Sequence, residues 1–176
     1  TAEQVYDYSL TWAKEYDEEL AKMLADKEYS LKILGIERGN KKPRKDISKW
    51  SDVKNSIIYM YDEKFFENPT YEYGKVNDKE QINDILEAYA QKYFDINDDK
   101  ETWFNKIKDL AEEKGFAREV KEYKAEPEKW PGHVGDISTV LRVALTGRQN
   151  TPDMFEIMQV LGKDSVLKRI ETAIKK

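Results

Sequence analysis

Apolar side chains recur every three or four residues along most of this chain, and that spacing restricts its fold more than any other feature. A repeat of this length places apolar residues on one face of an α-helix, whereas a half-buried strand alternates apolar and polar residues. Residues 2–25 predict a single helix, and no stretch alternates convincingly. The stripe of that helix consists of Val5, Tyr8, Trp12, Tyr16, Leu20, Met23 and Leu24. We therefore predict an all-α protein with no significant sheet.

Capping residues and glycines indicate where several of the other helices begin and end. Asp78, with Gln81 three residues later, resembles a capping box at the start of a helix. Gly147 follows an apolar stretch and predicts its end. Thr151 and Pro152 predict another helix start, because a hydroxyl can cap the first turn and proline suits the first helical position.

The stretch ENPTYEYGKVN, residues 67–77, interrupts the helical pattern. It contains proline, glycine and asparagine and has no apolar period, which is typical of a connecting segment. We predict a first helical subdomain over 1–66, a linker over 67–77 and a second helical subdomain over 78–176.

Several classes of chemistry are excluded by the composition and the motifs. The chain has no Cys and one His, which excludes disulfides, thiolate nucleophiles and a multi-histidine metal site. No phosphate-binding loop, dinucleotide fingerprint or nucleophile elbow occurs. His133 is expected to be a surface-loop or helix-capping residue and not a general base. We therefore predict no catalytic residue and no metal ligand, and the chain shows neither a signal peptide nor a membrane-spanning run.

The distribution of charge is more informative than the net charge of −5, which by itself argues against a nucleic-acid binder. Residues 129–176 carry an excess of three positive charges, and residues 32–54 carry an excess of five. Two basic islands on an acidic background are typical of a polyanion-binding surface. Chance clustering on a charge-rich surface is the alternative that charge alone leaves open.

The C-terminal third carries a recognisable string, VLRVALTGRQNTPDMFEIMQVLGKDSVLKRIETAI over residues 140–174. It resembles the end of bacterial glutamyl-tRNA synthetases, which have Leu-Arg before an ALTG turn, then Thr-Pro with an apolar pair, then LLGK and a basic helix. The segment KPRKDISKW, residues 42–50, resembles a Pro-Arg-containing segment in the first half of the same region. The resemblance is weaker over 1–30 and 67–128.

This resemblance implies a cage of helices in two subdomains that grips the anticodon stem-loop of tRNA-Glu. The synthetase joins glutamate to its tRNA with ATP and magnesium in a separate catalytic domain, whose HIGH-like and KMSKS-like signatures do not occur in this chain. The chain is therefore expected to bind tRNA without aminoacylating it and to need no cofactor of its own. A cytoplasmic location, a monomeric state and no binding to DNA or membranes are further expectations.

The same resemblance assigns anticodon-reading roles where the motifs match. Arg44 takes the place of the arginine that contacts the first anticodon base, and Arg142 that of the arginine implicated at the middle base. Thr151, Pro152 and Met154 match the helix start that meets the third base. Such roles make physical sense, because unstacked bases are read by guanidinium groups, apolar surfaces and helix N-termini. Phosphate contacts are expected for Lys42, Lys45, Arg148 and Lys168.

Each assignment has a purely structural alternative. Arg44 would be a surface charge, Arg142 an ion-pair partner of the C-terminal helix, and Met154 a core side chain. For the whole chain, the alternative is a free-standing helical module that binds protein partners and carries its basic patches incidentally. An enzyme in its own right is the weakest hypothesis, because no catalytic motif supports it.

Overall fold

The structure, a computed structural model, describes residues 1–38 and 49–176. Within these ranges the chain is almost entirely helical, and the only β-type pairing in them is an isolated parallel bridge between Ala117 and His133. The all-α prediction is therefore confirmed. The α-helices of these ranges are α1 Ala2–Tyr16, α2 Glu18–Met23, α3 Lys27–Gly35, α4 Asp52–Ile57, α5 Asp62–Phe65, α6 Lys79–Ala88, α7 Lys100–Glu113, α8 Val120–Ala125, α9 Val134–Thr146, α10 Met154–Leu161 and α11 Lys163–Lys175. A 3₁₀ turn follows α4 at Ile58–Met60, and a π-helical turn follows α6 at Tyr89–Tyr93.

The helices group into two compact units. The first, called the N-terminal unit below, comprises Thr1–Pro69 together with Pro152–Leu161. The second, called the C-terminal unit, comprises Thr70–Thr151 together with Gly162–Lys176. Residues 67–77 form no helix. The subdomain boundaries predicted above remain a prediction.

The predicted single helix over 2–25 is wrong, because Asp17 divides it. Its backbone leaves the helical region at φ −148° and ψ 89°, so α1 ends and α2 begins there. The Asp17 carboxylate accepts the amide N–H of Leu20 at 3.0 Å, which caps α2. This hydrogen bond is the main cause of the lowered pKa of Asp17. The stripe is also not uniformly inward, since Tyr8 is 61% and Tyr16 65% exposed.

The core of the N-terminal unit lies where α3 packs against α1 and α10. Leu20, Leu34 and Ile57 of this unit are completely buried. The Tyr6 hydroxyl donates to the carbonyl of Leu24 at 2.9 Å, which gives this buried phenol a partner. Such hydrogen bonds allow tyrosines to contribute to the core of a chain with few aliphatic residues.

The core of the C-terminal unit is formed by α6, α7, α9 and α11, which pack against one another. Ile85, Ile107 and Val140 are completely buried in it. The ammonium group of Lys79 on α6 donates to the carbonyl of Ala173 at 2.7 Å. This contact satisfies a backbone carbonyl in the last turn of α11, where no intrahelical donor is available. No helix of the described residues is both long and apolar enough to cross a membrane.

Candidate nucleic-acid interface

Arg142 lies on α9, one turn before the ALTG segment ends the helix. Its side chain is half-buried, and its Nε atom is buried without a hydrogen-bond partner among the described residues. In residues 1–38 and 49–176 its guanidinium group forms no ion pair with a carboxylate, so the alternative of an ion pair with the C-terminal helix is not realised there. A buried, unpartnered guanidinium N–H is unfavourable, and a hydrogen-bond acceptor from a ligand would relieve it.

The turn after α9 is held in place by the Thr146 hydroxyl. Its Oγ1 donates to the carbonyl of Arg142 at 2.7 Å and accepts the amide N–H of Arg148 at 3.1 Å. Gly147 between them adopts the left-handed conformation with φ +72°, which a residue with a Cβ adopts only at a cost. The predicted helix end at Gly147 is confirmed. The geometry fixes the backbone of Arg148, one of the residues predicted to contact phosphate.

A second hydrogen bond fixes the same turn from a distant part of the chain. The Gln149 side-chain amide donates to the carbonyl of Glu72 at 2.9 Å, across 77 residues of sequence. Gly74, at φ +84°, lies against this amide, because a Cβ there would be 3.4 Å from Gln149 Oε1. The turn that leads to Thr151 is therefore tied to residues 72–74 within the C-terminal unit.

Arg169 on α11 forms a hydrogen bond with the last turn of α9. Its side chain is completely buried, and its Nη1 donates to the carbonyl of Leu145 at 2.7 Å. Its Nε donates to the Ser165 hydroxyl at 3.1 Å. A positive charge at the C-terminus of a helix is favoured by the helix dipole. Burial raises the pKa of Tyr71, and the positive charge of Arg169 opposes this shift.

Sequence reasoning missed both Gln149 and Arg169 as structural supports of this turn. For Arg169 a signal existed, because it occupies the position between Val166 and Ile170 on the buried face of α11. A charge inside an apolar stripe indicates a buried partner. The hydrogen bond from Gln149 to the carbonyl of Glu72 joins residues 77 positions apart, so no local sequence pattern predicts it.

The predicted start of α10 at Thr151-Pro152 is displaced. The helix begins at Met154, and the Asp153 carboxylate accepts the amide N–H of Glu156 at 2.9 Å. Asp153 therefore performs the capping that was expected of Thr151. Met154 is only 3% exposed, which favours its structural alternative as a core side chain. Thr151 and Pro152 are half-buried.

Carboxylates gather at the start of α10 within the N-terminal unit. One oxygen each of Glu37, Asp153 and Glu156 lie within 4.8 Å of one another. A divalent cation binds such oxygens, but partly exposed carboxylates group in this way in many proteins without an ion. The cluster therefore assigns no metal. It does make this helix start unfavourable for a phosphate and leaves a neutral base as the more compatible ligand.

The loop around His133 is a helix cap. The Nδ1 atom of His133 accepts the amide N–H of Gly135 at 2.9 Å, and the Asp136 carboxylate accepts the amide N–H of His133 at 2.9 Å. The prediction of a capping histidine is confirmed. A Cβ on Gly132 would meet Asp136 Oδ2 at 2.3 Å, and one on Gly135 would meet the imidazole at 2.5 Å. The space beside both glycines is thus filled by side chains, and this loop does not fit the phosphates of ATP.

Of the remaining residues predicted to contact RNA, only some lie within the described residues. Lys168 does, and it is exposed on α11. Arg44, Lys42 and Lys45 lie outside the described residues. Of the predicted base-reading residues, Arg142 and Thr151 belong to the C-terminal unit, whereas Pro152 and Met154 belong to the N-terminal unit.

Comparison with known families finds a match in the C-terminal part of the chain. Residues 128–174, which include α9, the turn after it, α10 and most of α11, match the anticodon binding domain family. The matched range contains the capping loop of His133 and the hydrogen bonds described above for Thr146 and Arg169.

Over nearly its full length the chain is similar to bacterial glutamate–tRNA ligases. It is 44% identical to that of Sorangium cellulosum over 97% of this chain, and 42% identical to that of Acetivibrio thermocellus over 97% of this chain. It is also 42% identical to the ligase of Clostridium perfringens strain 13 over 96% of this chain. The chain spans only about 30% of the length of these curated relatives. It is homologous to their C-terminal, anticodon-binding region, as the resemblance predicted.

Proposed function

We propose that this chain binds the anticodon stem-loop of tRNA-Glu as part of a glutamate–tRNA ligase, the enzyme that attaches L-glutamate to tRNA-Glu with ATP. The observation that carries this proposal is the 42–44% identity over 96–97% of the chain to three such ligases. The match of residues 128–174 to an anticodon binding domain points to the same ligand. A cytoplasmic location follows from a role in translation.

Among the described residues that are predicted to read a base, Arg142 is the one that carries a guanidinium group. Its Nε lacks a partner among the described residues, and Thr146 and Arg169 hold the end of the helix that carries it. A guanidinium fork offers two parallel N–H donors, which match the paired acceptors on a base edge. We assign Arg142 to the middle anticodon base.

The other contacts follow from position. Thr151 and Pro152 face the third base in this proposal, and Met154 contributes its backbone at the start of α10 because its side chain is buried. Arg148 and Lys168 approach phosphates. Arg44 at the first base, with Lys42 and Lys45 at phosphates, rests on the sequence resemblance.

ATP and magnesium belong to the proposed activity of the whole ligase, and they supply the activation of the amino acid. No residue of this chain is assigned to either of them. The two-glycine loop at 130–136 does not fit the phosphates, because Asp136 and His133 occupy the space beside the glycines.

Binding of tRNA-Glu transcripts to this chain at low salt tests the assignment of Arg142. We expect a changed middle anticodon base to weaken binding by about 5- to 150-fold for the wild type and to have little effect on Arg142→Ala, since a bidentate base contact provides discrimination of this size. Arg118→Ala is the matched control. Its guanidinium group already pairs with Asp109 and Glu112, and the contact with Asp109 is the main cause of its raised pKa.

The salt dependence provides a second readout. Basic residues that replace counterions on phosphates give a steep fall in affinity as salt increases.

If Arg142→Ala keeps the full penalty for the changed middle base, the assignment of Arg142 is refuted. If the wild-type chain binds neither tRNA-Glu nor a scrambled RNA at low salt, the helical interaction module becomes the better description.

A further inference from the structure

An exposed aromatic stack is present on the surface of the N-terminal unit. Tyr8 on α1 is 61% exposed and Trp50 is 40% exposed, although both rings are large and apolar. Their ring centroids are 5.5 Å apart and their planes differ by 27°, so the rings are stacked on each other. Tyr6, Tyr59 and Phe65 of the same unit are in contrast buried, at 5–7% exposed, whereas Tyr16 is exposed like Tyr8.

Stacking shields the ring faces that Tyr8 and Trp50 turn towards each other. The exposed fractions show that part of each side chain remains accessible to water. A third flat aromatic group placed on an outer face would extend the stack. Nucleic-acid bases have this shape, and stacking on aromatic side chains contributes to the binding of single strands.

The helix surface around the stack is mixed. Gln4, Asp7 and Thr11 on α1 are exposed, whereas Trp12, four residues after Tyr8, is half-buried, and its ring centroid lies 5.6 Å from that of Tyr16. A protein-docking face is normally a contiguous apolar patch with aromatic and aliphatic residues at its centre. Around Tyr8, exposed polar residues of α1 lie beside the aromatic ones.

Positive charge adjoins the stack along the sequence. Trp50 ends the segment KPRKDISKW, residues 42–50, which carries an excess of three positive charges. Lys49 next to it is exposed. Of the described residues that neighbour the stack in sequence, Lys49 attracts the phosphate of a stacked nucleotide, whereas the exposed Asp7 and Asp52 oppose it.

We propose that Tyr8 and Trp50 form a stacking platform for one unpaired base of a bound RNA. The inference rests on the proposed function, under which the base belongs to the anticodon loop of the tRNA. It adds a contact that depends on π-stacking to the contacts that depend on hydrogen bonds and charge. The platform does not discriminate between bases, because every base has a π-face.

The test measures binding of a tRNA-Glu transcript to the 176-residue chain at low salt by fluorescence anisotropy. Tyr8→Leu and Trp50→Leu keep an apolar side chain and remove the ring, whereas Tyr8→Phe keeps the ring. Tyr16→Leu is the matched control, because Tyr16 is 65% exposed on the same helix. Its Cα lies about 12 Å further along the helix axis. Circular dichroism and thermal melting confirm that each variant is folded.

We expect both ring-deleting variants to weaken binding by about 5- to 150-fold, the range that alanine substitution gives for one stacked base. The slope of affinity against salt should stay unchanged, because no counterion is involved. Tyr8→Phe and Tyr16→Leu should remain within about twofold of the wild type, as is usual for surface substitutions. A fully paired RNA duplex, which offers no free base, should bind all variants equally.

Each other outcome overturns the inference. If the wild type binds tRNA-Glu and the ring-deleting variants bind equally well, the platform is refuted and the proposed function stands. If those variants lose binding to the duplex as much as to the tRNA, the effect is not stacking. If the wild type binds no RNA, the proposed function and the platform fall together, and a protein-binding role for the exposed rings takes their place.

Discussion

The buried Arg169 gives the sharpest test of how the end of α9 is held. We consider Arg169→Met, which keeps a long side chain and removes the charge and the hydrogen-bond donors. The carbonyl of Leu145 then loses its 2.7 Å donor in the last turn of α9, where no intrahelical donor replaces it. An orphaned buried acceptor of a charged donor costs about 1.5–3 kcal/mol. The Ser165 hydroxyl, in contrast, can rotate towards a backbone carbonyl.

Removal of the charge has an opposing effect, because a buried guanidinium group is poorly solvated and its replacement by an apolar side chain relieves that penalty. Loss of the favourable interaction with the helix dipole adds up to about 2 kcal/mol in the destabilising direction. We expect the destabilising contributions to prevail, with a net loss of about 2–3 kcal/mol in the free energy of unfolding.

Urea unfolding and thermal melting of the chain measure this loss. For a chain of this length, 2–3 kcal/mol corresponds to a fall in Tm of roughly 4–12 °C. Lys168→Met is the matched control, since it removes a positive charge from the exposed neighbouring position, and it should change stability by less than about 0.5 kcal/mol. An Arg169→Met variant as stable as the wild type, or more stable, would show that desolvation of the charge outweighs its hydrogen bonds, and the reasoning would be wrong.

Two further changes test other parts of the fold. Gly132→Ala should lower the free energy of unfolding by about 1–3 kcal/mol in a urea titration, because its Cβ would displace the Asp136 carboxylate 2.3 Å away. Gly35→Ala is the control and should be neutral or stabilising, since its Cβ would meet nothing nearer than 3.9 Å. Equal effects of the two substitutions would refute the steric argument. Burial raises the pKa of Tyr73, so above about pH 10 the unfolded chain loses the proton of this hydroxyl while the folded chain keeps it. The free energy of unfolding therefore falls as the pH rises above that value. Tyr73→Phe should therefore reduce the fall of the urea midpoint between pH 8 and pH 11. It should not destabilise the chain at pH 8, since the Tyr73 hydroxyl has no hydrogen-bond partner among the described residues. A variant whose urea midpoint falls as steeply with pH as that of the wild type would contradict this expectation.

The helical class could be predicted from the sequence because the apolar period is a local property, and the period continues through most of the chain. The capping role of His133 could be predicted for the same reason, since its partners Gly135 and Asp136 lie within three residues. The break at Asp17 was missed because its carboxylate competes for backbone amides inside an otherwise continuous stripe.

Burial was harder to predict than helix position. Tyr8 and Tyr16 fit the inward stripe of α1 by hydropathy, but aromatic rings also occur at surfaces, and both are exposed. Arg169 has the opposite character, a charged residue that is completely buried. The start of α10 moved to Met154 because Asp153, two positions beyond Thr151, competes as a cap and accepts the amide N–H of Glu156.

The two ends of α9 have a consequence for the entropy of forming this region. The contacts at its start join His133 with Gly135 and Asp136, and those at its end join Thr146 with Arg142 and Arg148, so each closes a loop of four residues or fewer. Loops this short lose little chain entropy on closing. The bond of Gln149 to Glu72, in contrast, closes a loop of 77 residues and adds one hydrogen bond to a turn whose conformation is already defined. The spacing between Arg142 and Arg148 is thus encoded within one short segment, and the long-range contact only anchors it.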